Sequence, residues 1–68
     1  MMNDNQKQKA SLTFDEAVQT WLMHWEGLIQ SGIAHHFKVN QGRVNEVLKE
    51  VKHIGSKSAA LIAKGNAA

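Results

Sequence analysis

The chain has 68 residues and a mass of 7.6 kDa, and it contains no cysteine and no proline. This length allows one small domain, and the lack of cysteine excludes both a disulfide framework and a thiolate zinc site. The longest unbroken apolar run covers residues 59–63, whereas a membrane span requires about 18 residues, so we expect a cytoplasmic protein without a membrane partner.

Charge is unevenly distributed along the chain. The net charge is +2, but residues 1–29 hold two lysines against four acidic residues, and residues 30–68 hold six basic residues against two acidic ones. A local basic surface on a small domain favours a polyanionic partner. A solvated surface with an accidental imbalance of charge is the alternative.

The first helix is predicted to follow a flexible tail at residues 1–11 and to open the single domain, residues 12–68. The tail is polar and rich in Asn, Gln and Lys, so burial cannot offset the entropy lost when it becomes ordered. A capping box at residues 13–16, with Thr13 and Glu16 as reciprocal partners, predicts that the helix begins there. The helix is expected to end near Gly27. Its apolar residues recur at intervals of three and four: Phe14, Ala17, Val18, Trp21, Leu22, Trp25 and Leu28.

Two short helices are predicted next, joined by residues 38–40. The first has one apolar face, and Asn40 is a good N-cap for the second. The second helix has an apolar sector about 100° wide, which is the width of a buried face. This sector contains Val44, Val47, Leu48 and Val51. The remaining surface is polar: Gln41, Gly42, Arg43, Asn45, Glu46, Lys49, Glu50 and Lys52.

A last short helix is predicted after a break at residues 53–55. Ser56 is expected to cap this helix, which ends before Gly65 and is apolar nearly all round. The sequence has no strand-like alternation of useful length, no hairpin turn signal and no internal repeat. We therefore predict an all-α fold with three to four helices in one compact domain.

Six apolar residues within residues 30–49 carry a family resemblance. Two stand early in the first of the paired helices, two around the turn and two in the second helix: Ile33, Ala34, Phe37, Val39, Val44 and Val47. With this spacing the segment resembles the helix-turn-helix family of DNA-binding proteins, although the family usually has glycine where this chain has Lys38. The resemblance implies that the helix from Gln41 lies in the major groove of double-stranded DNA, while the preceding helix crosses the DNA backbone.

Polar side chains on the helix from Gln41 have the chemistry that base reading requires. The carboxamides of Gln41 and Asn45 match the N6 and N7 edge of adenine, unless both are ordinary solvent-facing residues. Arg43 takes guanine bidentately or clamps a phosphate, and the sequence leaves both open. Glu46 accepts a hydrogen bond from cytosine N4, disfavours binding to other DNA sequences, or pairs with Arg43 or Lys49 within the helix.

The other predicted DNA contacts are to the phosphate backbone. Lysines supply charged contacts, Gln30 and Ser31 supply neutral ones at the amino end of the first paired helix, and Gly42 has no side chain to hold the DNA away. The complete predicted DNA-binding set is Gln30, Ser31, Lys38, Asn40, Gln41, Gly42, Arg43, Asn45, Glu46, Lys49 and Lys52.

A homodimer on a two-fold symmetric operator is expected, because one such module buries too little surface for discrimination within a genome. The last helix is apolar on more of its surface than packing against one neighbouring helix would bury. Its predicted dimer contacts are Ala59, Leu61 and Ile62, unless these residues close the core of the monomer.

Other function classes are disfavoured by the sequence. It offers no nucleophile with an adjacent base and no phosphate-cradling glycine loop, so we expect no enzyme, no cofactor and no small-molecule ligand. His35 and His36 diverge by about 100° on a helix, so no metal site is expected. We therefore predict a small transcriptional regulator, by default a repressor. The alternative is a protein-interaction module that binds a partner such as a polymerase subunit through the same helix, although that face lacks aromatic or leucine anchors.

Overall fold

Four helices account for most of the residues that the computed structural model describes, which are residues 8–66 except the side chain of Asn66. The helices are α1 (Phe14–Trp25), α2 (Gln30–Phe37), α3 (Gln41–Leu48) and α4 (Ser56–Asn66). This part of the chain contains no strand, so the predicted all-α fold is confirmed. Of the predicted tail, residues 1–7 lie outside the described residues.

The capping box predicted at the start of α1 is confirmed. The Thr13 hydroxyl accepts from the backbone N–H of Glu16 at 3.1 Å, and the Glu16 carboxylate accepts from the N–H of Thr13 at 2.9 Å. The apolar stripe of α1 is buried at its centre, where Ala17 and Trp21 lie. Phe14, at the start of the helix, is exposed. Leu28 was predicted to continue the stripe, but α1 ends at Trp25, and Leu28 follows the left-handed Gly27 and is exposed.

The hydrophobic core confirms the apolar positions that the family resemblance assigned to the paired helices. All six are buried, and the most exposed is only 8% accessible: Ile33, Ala34, Phe37, Val39, Val44 and Val47. Leu12, Trp21 and Ala60 join them, so the segment before α1 and the helices α1 and α4 share the same core. Helix α1 packs against each of the other three helices, whereas α4 packs chiefly on α1.

The same backbone turn ends α1, α2 and α3. In each case a left-handed residue donates its N–H to the carbonyl three residues back, and the next residue donates to the carbonyl five residues back, at 3.0 to 3.2 Å. This pair of bonds is a Schellman motif, in which the left-handed residue is usually glycine. The left-handed residues here are Gly27 (φ 102°), Lys38 (φ 59°) and Glu50 (φ 61°). Two of the three turns therefore place a β-carbon in a strained backbone region.

The last two predicted helix boundaries need correction. The apolar pattern predicted that the second paired helix reaches Val51, but α3 ends at Leu48 and Val51 is 64% exposed. The left-handed Glu50 turns the chain out of the helix before Val51 can reach the core. Helix α4 does not stop before Gly65 but continues to Asn66, a difference within the usual fraying of helix ends.

The predicted cap of α4 is also different. Ser56 is the first residue of the helix and is buried, and its Oγ accepts from the indole Nε1 of Trp21 at 3.1 Å. The hydroxyl is therefore used to join α4 to α1. The first helical hydrogen bond instead runs from the N–H of Ala59 to the carbonyl of Gly55, at 3.0 Å.

Candidate nucleic-acid interface

The start of α3 is fixed by its N-cap. The side-chain Oδ1 of Asn40 accepts from the backbone N–H of Gly42 at 2.7 Å, which confirms Asn40 as the cap. A β-carbon on residue 42 would lie 3.1 Å from the same oxygen, so glycine leaves room for the cap. The capping bond uses only the side-chain oxygen of Asn40, and its amide N–H groups form no hydrogen bond among the described residues.

The carboxamides of Gln41 and Asn45 belong to the polar face of α3, one helical turn apart. Gln41 is exposed and Asn45 is half-buried. Among the described residues, neither carboxamide takes part in a hydrogen bond, so each offers a donor and an acceptor to a partner. Val44 and Val47 hold the other side of α3 in the core, which fixes the direction of the polar face.

Arg43 and Glu46 form a bidentate ion pair within α3. Arg43 Nε donates to Glu46 Oε1 at 2.9 Å, and Arg43 Nη2 donates to Glu46 Oε2 at 3.0 Å. Both side chains are partly exposed, at 38% and 32%. Of the interactions left open by the sequence for Glu46, the structure contains the pair with Arg43. The pair occupies the edge of the guanidinium formed by Nε and Nη2, and it offsets the charge of a carboxylate near the predicted DNA surface.

The loop after α3 is fastened to the segment before α1. His53 is left-handed (φ 52°), and its Nε2 lies 2.8 Å from the carbonyl oxygen of Leu12, 41 residues away in sequence. The Phe14 ring packs edge-on against the imidazole with 6.1 Å between ring centroids. These contacts hold the loop beside the Arg43–Glu46 pair. Leu12, His53 and Lys52 line a small crevice there together with the ion pair.

The lysines of the predicted set are divided between three places. Lys38 occupies the turn between α2 and α3, and Lys49 is the C-cap of α3. Lys52 lies in the loop after the helix, so its predicted position on the polar surface of α3 is wrong, because α3 ends at Leu48. All three are exposed.

The amino end of α2 holds the two neutral residues of the predicted set. Gln30 is the first residue of α2 and is half-buried, and Ser31 follows it and is exposed. The N-cap is Ile29, whose side chain forms no capping hydrogen bond. The first-turn amides of α2 are consequently not satisfied by a cap side chain.

A contact that sequence reasoning missed lies at the turn between α2 and α3. The backbone N–H of Lys9 donates to the carbonyl of Lys38 at 2.7 Å, and residue 9 forms an isolated parallel bridge with Val39. The Lys9 ammonium also pairs with Glu16, and this hydrogen bond, followed by that from the Thr13 N–H, holds the pKa of the Glu16 carboxyl below its ordinary value of 4.5. Part of the predicted tail is thus attached beside α3.

The sequence left open whether the apolar residues of α4 form a dimer contact or close the core of the monomer. Leu61 is 53% and Ile62 is 64% exposed, whereas Ala59 is half-buried. The residue of α4 that closes the monomer core is Ala60, which is fully buried. Leu61 and Ile62 therefore remain on the surface of the monomer.

Comparison of the chain with protein-family models, curated proteins and solved structures gives no match. Within the described residues, no helix combines the length and the apolar character that crossing a membrane requires. The arguments for function consequently start from the geometry of the polar face of α3 and from the exposed surface of α4.

Proposed function

We propose that this protein binds double-stranded DNA sequence-specifically as a small helix-turn-helix regulator, with α3 in the major groove. The observation that carries the proposal is the pair of unengaged carboxamides, Gln41 and Asn45, on one face of a helix whose other face is buried. An α-helix with its side chains is about 10 to 12 Å in diameter, which suits a groove about 12 Å wide. The face also lacks the apolar anchors of a protein-binding helix.

Nine of the eleven predicted contact residues have a role toward DNA in this proposal, and the other two, Asn40 and Gly42, form the N-terminal cap of α3. Gln41 and Asn45 read base edges, because a carboxamide matches the N6 and N7 edge of adenine. Arg43 is engaged by Glu46, so we assign the pair to shaping the edge of the reading face rather than to reading guanine. The neighbouring cations and the uncapped amino end of α2 contact phosphates: Lys38, Lys49, Lys52, Gln30 and Ser31.

The proposed unit is a homodimer on a two-fold symmetric operator, joined through the outer surface of α4. Leu61 and Ile62 are the exposed apolar residues of that surface. Two copies of α3 spaced by one DNA turn, about 34 Å, double the length of sequence that is read. A chain of this kind acts most simply by occupying a promoter as a repressor, which implies a cytoplasmic location on the nucleoid.

Alanine variants test the assignment of the reading residues. Gln41→Ala and Asn45→Ala are each expected to cost about 1 to 3 kcal/mol on a selected site, with little loss on random DNA. Lys49→Ala is expected to weaken both affinities nearly equally and to reduce the salt slope by about 1. Mobility-shift titrations at two salt concentrations measure these changes, with Ser58→Ala on α4 as the control.

Two results would contradict the proposal. If the affinities for selected and random DNA fell together in Gln41→Ala and Asn45→Ala, these residues would not read bases. If the wild-type protein bound no DNA at low salt, the protein-interaction alternative would replace the proposal, because a DNA binder gains affinity steeply as salt falls.

A further inference from the structure

A groove of about 280 Å³ lies between the carboxyl ends of α1 and α4. Its apolar lining is Leu22, Trp25 and Ala63, and two charged residues of opposite sign, Glu26 and Lys64, stand on it. These apolar residues leave part of their surface exposed to solvent, since Trp25 is only half-buried and Ala63 is exposed. No residue that lines the groove belongs to α3, and α4 packs chiefly on α1.

The two charges of the groove do not neutralise each other within one copy. Lys64 lies over the ring of Trp25, with Nζ 5.3 Å from the ring centroid. Within the described part of the chain, Glu26 forms no ion pair. A two-fold axis brings the same patch of both copies together, so an acid and a cation on one patch meet the opposite charges of the other copy when their positions match.

We propose that a second copy of this chain docks on this groove, so that Glu26 of each copy pairs with Lys64 of the other. The arrangement is isologous, because a two-fold axis brings the same patch of both copies together and forms the ion pair twice. The exposed Leu61 and Ile62 of the opposing α4 supply apolar surface to cover the groove. The inference rests on the proposed homodimer and adds residues of α1 to its interface.

The orientation follows from the way α4 is attached to α1. Ser56 and Lys57 contact Trp21, and Lys64 contacts Trp25, so both helices run toward the groove. The docked copy consequently covers the carboxyl ends of α1 and α4, and the residues of this interface all lie outside α3. This is the condition that a DNA-reading dimer must meet, because each α3 has to enter its own half-site.

Charge reversal tests the pairing. Glu26→Lys and Lys64→Glu each create two like-charge contacts in a homodimer, and we expect each to raise the dimer dissociation constant on the order of tenfold or more. An equimolar mixture of the two variants restores both opposite-charge contacts, so it is expected to form heterodimers with nearly wild-type affinity. Sedimentation equilibrium of the full chain distinguishes these species from the 7.6 kDa monomer.

Lys57→Glu is the matched control for charge and for loss of a cation–π contact. Lys57 stands over Trp21 with Nζ 5.4 Å from the ring centroid, outside the groove, and its reversal changes net charge as much as Lys64→Glu does. We expect Lys57→Glu to remain dimeric, and its heterodimer with Glu26→Lys, which keeps one like-charge contact, to form more weakly than the heterodimer of Glu26→Lys and Lys64→Glu. Circular dichroism of each variant confirms that helix content is retained, and rescue in the mixture requires folded subunits.

The inference is overturned if both charge variants dimerise like the wild type, or if the mixture stays monomeric while each variant is folded. Binding of DNA is measured separately, on a fragment that carries one half-site. If a charge variant no longer dimerises but still binds the half-site, the result bears on the interface and leaves the proposed DNA binding unaffected. Dimerisation with no binding to any DNA would instead refute the proposed function and leave the interface standing.

Discussion

The left-handed residue that ends α3 offers a measurable test of how this fold is held. Glu50 is exposed, has φ 61°, and forms no ion pair among the described residues. A β-carbon in this conformation costs about 1 to 2 kcal/mol, and glycine removes that cost but loses about 0.5 to 1 kcal/mol to its unfolded-state entropy. Glu50→Gly is therefore expected to exceed Glu50→Ala by about 0.5 to 1 kcal/mol in the free energy of unfolding.

The alanine variant is the necessary reference because it removes the same negative charge. A carboxylate at the carboxyl end of a helix is unfavourable by about 0.3 to 1 kcal/mol, and both variants gain from its removal. Only the glycine variant also loses the β-carbon. Urea unfolding followed by tryptophan fluorescence gives the difference, which corresponds to about 2 to 8 °C in melting temperature for a domain of this size.

The corresponding turn after α1 supplies the opposite test. Gly27→Ala introduces a β-carbon at φ 102°, where no atom lies within 4 Å of the new position. The strain of about 1 to 2 kcal/mol is consequently conformational and not steric, and the loss of glycine's unfolded-state entropy offsets about 0.5 to 1 kcal/mol of it, so the expected net loss is about 0.5 to 1 kcal/mol. Equal stabilities of Glu50→Gly and Glu50→Ala, or an unchanged stability of Gly27→Ala, would refute the argument from backbone strain.

Two further predictions concern contacts of α1. Ser56→Ala leaves the indole N–H of Trp21 buried without its acceptor, so we expect a loss of about 1 to 3 kcal/mol in urea unfolding, against almost none for the exposed Ser58→Ala. Since the pKa of Glu16 is lowered in the folded state, its contribution is present above the ordinary value of 4.5 and is lost as the pH falls through the lower folded-state value. The stability difference between wild type and Glu16→Gln should therefore shrink from pH 7 to pH 3, and a constant difference would contradict it.

The core of the paired helices could be predicted from the sequence because it follows a local period. Residues that recur at three and four positions share one face of a helix, and the five that follow this period in the paired helices are buried: Ile33, Ala34, Phe37, Val44 and Val47. The N-caps could be predicted for the same reason, since Thr13 and Asn40 bond to groups two or three residues away. The burial of Val39, in the turn, was implied by the family resemblance alone. Local rules sufficed where the partners are local.

The end of α3 could not be predicted by the same reasoning. Val51 continues the apolar period, and no glycine announces that the helix stops before it. The turn is made by Glu50 against its intrinsic preference, and the contact of His53 with Leu12 fixes the following loop to a segment 41 residues away. Contacts of this kind depend on tertiary packing, and so does the hydrogen bond from the Trp21 indole to the Ser56 hydroxyl, 35 residues away in sequence. The sequence pattern contains no trace of either.

The turn between α2 and α3 shows how stability and the proposed function oppose each other at one residue. Lys38 holds a left-handed position that glycine would occupy with less strain, yet the lysine adds a cation to the turn that precedes α3. If that cation contacts a phosphate, the gain in DNA affinity offsets the strain of the turn. Lys38→Gly should then raise the stability of the free protein and lower its affinity for DNA with a smaller salt slope. Lys38→Ala should lower the affinity alike without the gain in stability, because the β-carbon remains. A Lys38→Gly variant that is more stable and binds DNA unchanged would show that the lysine is strained without serving the DNA contact.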